Sequence, residues 1–205
     1  MMEKDSEVTA QEKHQIRSKV GQLLWIAHQS RPDLLFEVNS IAVNIKQSSV
    51  KDIININKLI IKAKSSMMSL KYQYLGDNEL SLMVFSDASL GNLKDGGSQG
   101  GYLILLVGDD GMFSPIWWSS RKIKRVVRST LAAETLSMAD AIDVAIFIRT
   151  LYAEINTGKV DSKLLPLVCV TDCKSLFDAV RSNKFVTEKR LRVEISGITD
   201  KQWDC

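Results

Sequence analysis

The sequence predicts an α/β fold in which a mixed sheet with packed helices follows a small helical region. Three observations support this prediction. Apolar residues recur at intervals of three and four up to about Met68, and they alternate with polar residues from about Leu70. A long amphipathic helix at residues 129–155 then lies between the first predicted strands and a later one. A chain of 205 residues can hold one large domain or one domain with an appendage.

The helical region is expected to contain three helices between about Gln11 and Met68. Pro32 suits the first turn of the second helix, because that turn needs no backbone N–H from this position. Ser48 or Ser49 can cap the third helix, since a serine hydroxyl accepts a hydrogen bond from the backbone of the first turn. Each helix carries an apolar stripe that has to be buried.

The first strands are predicted from alternating polarity. Residues 70–74 and 80–84 alternate on either side of a turn at residues 76–78. Further strands are expected at residues 102–107 and 116–118. Consecutive strands joined by short turns indicate an antiparallel meander.

The long helix can begin at Ser129 or Thr130, either of which is a suitable N-cap. Spacings of three and four place Glu134 on the buried stripe of this helix. The predicted stripe consists of Glu134, Met138, Ala141, Ala145, Ile148 and Tyr152. The remaining predicted elements are a strand at 165–171, a short helix at 175–180 and an amphipathic helix at about 188–200.

Composition sets broad limits on function. The net charge of +3 is too small to indicate nucleic-acid binding by itself. The odd cysteine count, formed by Cys169, Cys173 and Cys205, and the absence of nearby histidines argue against disulfides and thiol metal sites. No signal peptide and no apolar run long enough to cross a bilayer are evident, so an intracellular protein without a membrane partner is expected.

Three acidic residues stand in or at the end of apolar segments, where desolvation of a charge is costly. They are Asp87, Glu134 and Asp172. Each has an ordinary structural explanation: Asp87 can cap the following loop, Asp172 can cap the next helix, and Glu134 can interact with a helix dipole. Their joint arrangement on strand, helix and strand favours a shared site instead.

The two aspartates end predicted strands, and ligands bind outside the carboxyl ends of strands in open sheets. If the two strands are neighbours, the helix that crosses between them brings Glu134 to the same place. Three carboxylates form a hard oxygen site suited to Mg²⁺ or Mn²⁺, and a cation would relieve their mutual repulsion.

Basic residues are concentrated just before the long helix. Between Ser119 and Thr130 the chain has five cations and no acid, namely Arg121, Lys122, Lys124, Arg125 and Arg128. A second basic group consists of Arg181, Lys184, Lys189, Arg190 and Arg192. From charge alone, a solvated face and a phosphate-binding surface are equally acceptable interpretations.

Four segments carry a family resemblance. They are Phe85-Ser86-Asp87-Ala88-Ser89, Ser119-Ser120-Arg121-Lys122-Ile123, Val127-Arg128-Ser129-Thr130-Leu131-Ala132-Ala133-Glu134-Thr135 and Val170-Thr171-Asp172-Cys173-Lys174-Ser175-Leu176. Together they resemble the ribonuclease H domain of Ty1/copia-type retrotransposon polyproteins. The upstream segments 21–27 and 31–34 resemble the end of that family's reverse transcriptase, its thumb and connection region. The resemblance covers the chain from about Gln15 to Gly197.

The resemblance implies a ribonuclease H-like mixed sheet, an antiparallel meander plus a parallel strand, at residues 70–205. Residues 1–69 would be a helical remnant of the reverse-transcriptase thumb and connection. Asp87, Glu134 and Asp172 would be three of four carboxylates that hold two Mg²⁺ or Mn²⁺ ions and cleave the RNA strand of an RNA–DNA hybrid. The nucleic-acid contacts would come from Ser119, Ser120, Arg121, Lys122, Lys124, Arg125 and Arg128.

The sequence departs from the family pattern at two places. The strand and helix that bear the family's fourth carboxylate do not follow Asp200, and neither Glu194 nor Asp200 matches that carboxylate. Reduced stability, or a covering partner such as other Pol regions or an oligomer, is therefore expected. The fingers and palm of the polymerase are also missing, so polymerisation is not expected. The alternatives are a catalytically inactive remnant that binds nucleic acid at most and, less favoured, another nuclease of this fold such as an integrase.

Overall fold

The computed structural model describes residues 6–65, 68–76, 79–93, 95–161, 164–181 and 188–199. The chain divides into two compact units. The first contains Met1–Leu70 and Ser119–Lys122, and the second contains Lys71–Trp118 and Ile123–Cys205. Five residues used in the predictions lie outside the described part: Asp77, Asn78, Lys184, Asp200 and Cys205. The assignment of residues 1–69 and 70–205 to two different retrotransposon domains stays a prediction.

The first unit is helical, as predicted. Its α-helices are α1 (Ala10–Gln29), α2 (Leu35–Val43) and α3 (Val50–Ser65), with short 3-10 turns at Pro32–Leu34 and Ile45–Gln47. Thr9 and Glu12 form a reciprocal capping box that starts α1. Pro32 occupies the first turn after α1, although this turn is a 3-10 helix that continues into α2.

A buried arginine holds this unit together. Arg31 is only 7% exposed, and its guanidinium donates hydrogen bonds to both carboxylate oxygens of Asp33 at 2.8 and 2.9 Å. It also donates to the carbonyl oxygen of Ala63 in the last turn of α3 at 2.9 Å. The pKa of Asp33 is lowered chiefly by the hydrogen bond from Arg31. One side chain thus connects the turn before α2 to the end of α3.

The sheet has four strands in the order β3-β2-β1-β4, and all of it except the last four residues of β3 lies in the second unit. The strands are β1 (Leu80–Ser89), β2 (Gln99–Gly108), β3 (Phe113–Lys122) and β4 (Leu167–Val170). Strand β1 pairs antiparallel with β2 and parallel with β4. Three helices accompany the sheet: α4 (Thr130–Thr157), α5 (Lys174–Arg181) and α6 (Lys189–Thr199). The predicted ribonuclease H-like mixed sheet is therefore confirmed.

Helix α4 packs on one face of β1 and β2. Its boundaries follow from local chemistry: the Ser129 hydroxyl accepts a hydrogen bond from the Ala132 backbone N–H, and Gly158 ends the helix in a left-handed conformation with φ of 69°. Alternate residues of β1, among them Leu82 and Val84, point into the core that this helix covers. The helix contributes Met138, Ala141, Ile142 and Ala145 to the same core.

One predicted strand is wrong. Residues 70–74 form no strand, although Leu70, Tyr72 and Tyr74 alternate with polar residues. The backbone N–H and carbonyl of Gln73 both bond to the hydroxyl of Ser114, so a side chain replaces the ladder of a partner strand. Tyr72 and Tyr74 are 63% and 85% exposed, so their alternation does not mark a buried face. In the described part of the chain, no helix is both long enough and apolar enough to span a membrane.

The N-cap of α4 provides a test of this local description. Ser129→Ala removes the oxygen that accepts the Ala132 N–H, so the free energy of unfolding should fall by about 1 kcal/mol. Ser129→Asp keeps an accepting oxygen, so its free energy of unfolding should differ from that of the parent protein by roughly a few tenths of a kcal/mol at most. Urea denaturation followed by circular dichroism measures both values. Equal stability of the alanine variant and the parent would contradict this role of Ser129.

Candidate metal centre

The sheet places Asp87 and Asp172 at one end of two neighbouring parallel strands. Phe85 of β1 is in register with Val170 of β4, and each aspartate follows two residues later. Asp87 is still within β1, whereas Asp172 lies just beyond the end of β4. Both side chains are exposed. Because the strands run in the same direction, both carboxylates reach the same edge of the sheet.

Glu134 comes from the second turn of α4 and is only 4% exposed. The packing of α4 on β1 carries its side chain to the two aspartates. One carboxylate oxygen from each of Asp87, Glu134 and Asp172 lies within 4.8 Å of the other two. The three acids that were singled out in sequence are therefore neighbours in space. Their roles as metal ligands and catalytic residues stay predictions.

The environment of Glu134 disfavours its charge. Burial, followed by the negative charge of Asp87, raises the pKa of Glu134 to about 7. A hydrogen bond from the backbone of Ala88 acts in the opposite direction, and the charge of Asp172 adds a smaller increase. One oxygen, Oε2, is buried without a hydrogen-bond partner among the described residues. A buried oxygen of this kind requires a cation, a proton or a further donor.

The donor set fits a hard divalent cation. Three carboxylates supply only oxygen ligands, which Mg²⁺ and Mn²⁺ accept readily and which are poor for thiophilic metals. A groove of about 420 Å³ opens beside the two aspartates. Its walls include the exposed ring of Phe85 together with Leu103 and Val170. A ligand in this groove would meet apolar surface on one side and carboxylates on the other.

The predicted nucleic-acid-binding residues are divided between the two units, and their role stays a prediction. Ser119, Ser120, Arg121 and Lys122 are the last residues of β3 and belong to the first unit. Lys124, Arg125 and Arg128 lie in the second unit, in the exposed connection that leads into α4. Arg125 forms an ion pair with Glu194 of α6. Glu194 is thus engaged in an ion pair, and its exclusion as a fourth ligand stays a prediction.

Two serines near the cluster were not predicted as part of the site from the sequence. Ser86 precedes Asp87, Ser137 follows Glu134 by three residues, and their hydroxyls are 3.0 Å apart. Both are buried. The available signal was a polar residue three positions after Glu134 on the buried face of α4, which an apolar stripe does not explain.

The raised pKa of Glu134 predicts how stability depends on pH. The folded-state value of about 7 lies above the ordinary value of 4.5, so the stability contributed by the protonated carboxyl is lost as the pH rises through about 7. Glu134→Gln removes the charge and should therefore stabilise the metal-free protein at pH 8 by about 2 to 3 kcal/mol. Most of this gain should be absent near pH 4.5.

Urea denaturation of both proteins at the two pH values measures this effect. Glu154→Gln, which changes an exposed glutamate of the same helix, serves as the matched control and should show no comparable gain at pH 8. A gain from Glu134→Gln that is as large at pH 4.5 as at pH 8 would contradict the assigned cause.

Comparison with known proteins places this arrangement in context. No model of a known protein family matches the chain. A putative transposon Ty5-1 protein of Saccharomyces cerevisiae is 31% identical over 112 residues, which are 54% of this chain and 34% of that protein. The retrovirus-related Pol polyprotein from transposon RE2 of Arabidopsis thaliana is 32% identical over 141 residues, which are 68% of this chain and 9% of the polyprotein. The chain thus spans about a third or less of these relatives.

Among solved structures, a foamy viral protease-reverse transcriptase in complex with an RNA/DNA hybrid matches with a TM-score of 0.53. The match covers 95% of this chain and 26% of the viral chain, at 15% sequence identity, and so it concerns the fold alone. The sequence relatives and the sheet topology agree with the resemblance carried by the motifs. The chain is therefore homologous to the Pol polyproteins of Ty1/copia-type retrotransposons, and its sheet and helices have the ribonuclease H-like fold.

Proposed function

We propose that the second unit is a metal-dependent ribonuclease H that hydrolyses the RNA strand of RNA–DNA hybrids. The observation that carries the proposal is the convergence of carboxylate oxygens from Asp87, Glu134 and Asp172 within 4.8 Å of one another. Two strands and a helix that are distant in sequence all deliver an acid to this point. A structural explanation of each acid by itself does not account for the convergence.

Asp87, Glu134 and Asp172 would hold Mg²⁺ or Mn²⁺, which supplies an activated water and stabilises charge on the leaving oxygen. The exposed carboxylates of Asp87 and Asp172 line the groove, so a cation that they hold would attract the scissile phosphate there. Glu134 contributes an oxygen that already lacks a hydrogen-bond partner. Since burial and the neighbouring charges raise its pKa to about 7, Glu134 would have to lose its proton in order to hold the cation, and cation binding should weaken below neutral pH.

Three observations support a nucleic-acid substrate. The groove is lined by two of the acids, Asp87 and Asp172. Lys124, Arg125 and Arg128 precede the helix that bears Glu134, so cations stand in the chain just before the catalytic helix. Such residues position phosphates without reading sequence. The solved viral relative in fold was captured with an RNA/DNA hybrid, which favours the same class of ligand for this chain.

Hybrid cleavage is the direct test. The purified chain should cut the RNA strand of a labelled RNA–DNA hybrid when Mg²⁺ or Mn²⁺ is present. Asp87→Asn should reduce the rate at least about 100-fold, because it removes a charged ligand while keeping the size of the side chain. Asp109→Asn, at an exposed turn of the same unit, is the matched control and should leave the rate unchanged.

The outcomes separate the competing functions. Metal-dependent cleavage that Asp87→Asn abolishes supports the nuclease. Tight hybrid binding without cleavage, with either metal and at high protein concentration, would overturn it in favour of a catalytically inactive nucleic-acid-binding module. Cleavage that survives Asp87→Asn would indicate a contaminating nuclease or a different active site.

The basic connection makes a separate prediction about binding. Replacing Lys124 and Arg128 with glutamine should weaken hybrid binding. It should also make the slope of the logarithm of the association constant against the logarithm of the salt concentration less negative by about 1 to 2. The matched control is Lys159→Gln, since Lys159 follows the far end of the 28-residue helix α4, roughly 40 Å from the connection. Fluorescence anisotropy at several salt concentrations measures both. Equal slopes for the two variants would exclude these phosphate contacts.

A further inference from the structure

A buried hydroxyl joins α4 to the strand that bears Asp87. The Ser137 hydroxyl accepts a hydrogen bond from Ser86 at 3.0 Å and faces two backbone carbonyl oxygens, those of Asp87 at 3.1 Å and Gly101 at 3.3 Å. A serine hydroxyl has one hydrogen to donate, so the two carbonyls share it. Ser137 is 3% exposed, which makes each of these contacts costly to lose.

The partners of Ser137 occupy a special place in the sheet. Asp87 and Gly101 face each other in the register of β1 and β2, so a single hydroxyl contacts both members of one cross-strand pair. Ser137 also lies one helical turn after Glu134, on the same side of α4. The contact therefore fixes the helix at the level of the acid cluster rather than elsewhere along its 28 residues.

The facing strand leaves no spare room at this contact. A Cβ atom at Gly100 would lie 2.9 Å from the Ser137 hydroxyl oxygen and 3.2 Å from its Cβ. Both distances are shorter than ordinary van der Waals contact. Glycine at position 100 thus allows α4 to approach β2 closely enough for the hydroxyl to reach the strand carbonyls.

We infer that Ser137 is a positioning residue, which locks α4 onto the Asp87–Gly101 pair and thereby sets the distance between the carboxylates of Glu134 and Asp87. The inference rests on the proposed function, because it treats these carboxylates as one cation site. Ser137 acts through the helix and does not itself touch the cation. Groups that orient metal ligands in this way commonly change metal affinity by about 10- to 100-fold when they are lost.

The test compares two buried hydroxyls of the same helix. Ser137→Ala removes the hydroxyl that reaches the sheet, whereas Thr135→Val removes one that bonds only to the Leu131 carbonyl within α4. Both residues are buried, so both variants should lose stability. Titration with Mn²⁺ alone, followed by electron paramagnetic resonance, should show at least about 10-fold weaker binding for Ser137→Ala and less than about 3-fold for Thr135→Val.

Equal Mn²⁺ affinities for Ser137→Ala and Thr135→Val would overturn the inference, because loss of a buried hydroxyl would then have no specific effect at the site. If Ser137→Ala does not fold, Gly100→Ala replaces it, since the added methyl group pushes against Ser137 from β2. The same 10-fold loss of affinity is then expected, and wild-type affinity in Gly100→Ala would overturn the inference.

A second readout separates this inference from the proposed function. The backbone of Ala88 donates a hydrogen bond to Glu134, so hydrogen exchange at the Ala88 amide reports how α4 sits on β1 without any metal. Ser137→Ala should accelerate this exchange about 10-fold or more relative to Thr135→Val. If the parent protein binds no Mn²⁺, the proposed function fails, and the positioning role is then decided by this exchange. Equal exchange in both variants would overturn it.

Discussion

The second unit has to hold three carboxylates close together in spite of their mutual repulsion. Glu134 is held in a buried position beside Asp87 and Asp172, although burial and the neighbouring charges both oppose its ionisation. The same helix offsets this unfavourable free energy, because Met138, Ala141 and Ala145, which follow Glu134 in α4, bury apolar surface in the core. The fold thus keeps an unfavourable charge arrangement in place by packing one face of α4.

The geometry of the cluster combines three kinds of structural element. Parallel pairing of β1 and β4 aligns the two aspartates, since register in a parallel pair fixes both ends together. The crossing helix supplies the third acid from above the sheet. Two small buried residues, Ala132 and Ala133, directly precede Glu134 in α4, and the hydroxyls of Ser86 and Ser137 form a hydrogen bond nearby. The helix and the strand therefore approach closely because these side chains are small and because the two hydroxyls form a hydrogen bond.

The basic residues before α4 show how structure can divide a group that looks uniform in sequence. Arg125 is committed to Glu194 of α6, so part of its charge is used in packing the second unit. Lys124 and Arg128 stand on either side of it in an exposed connection. The neighbouring Val126 is 91% exposed, so burial of this side chain in the core does not determine the conformation of the connection. Internal packing thus engages Arg125, whereas phosphate contact by Lys124 and Arg128 stays a proposal.

Much of this protein's structure depends on interactions between near neighbours in the chain, and this part could be predicted from its sequence. Periodicity located α4, the Ser129 cap followed from capping chemistry, and three acids in apolar segments marked the candidate site, because each depends on near neighbours in the chain. Residues 70–74 were misassigned because alternation does not show whether a face is buried. The structure shows that the Ser114 hydroxyl bonds to the backbone of Gln73 instead of a partner strand. The proximity of the acids, the orphaned oxygen of Glu134 and the Ser137 contact were decided by tertiary structure. They join residues as distant in the chain as Asp87 and Asp172 or depend on burial, which no local pattern records.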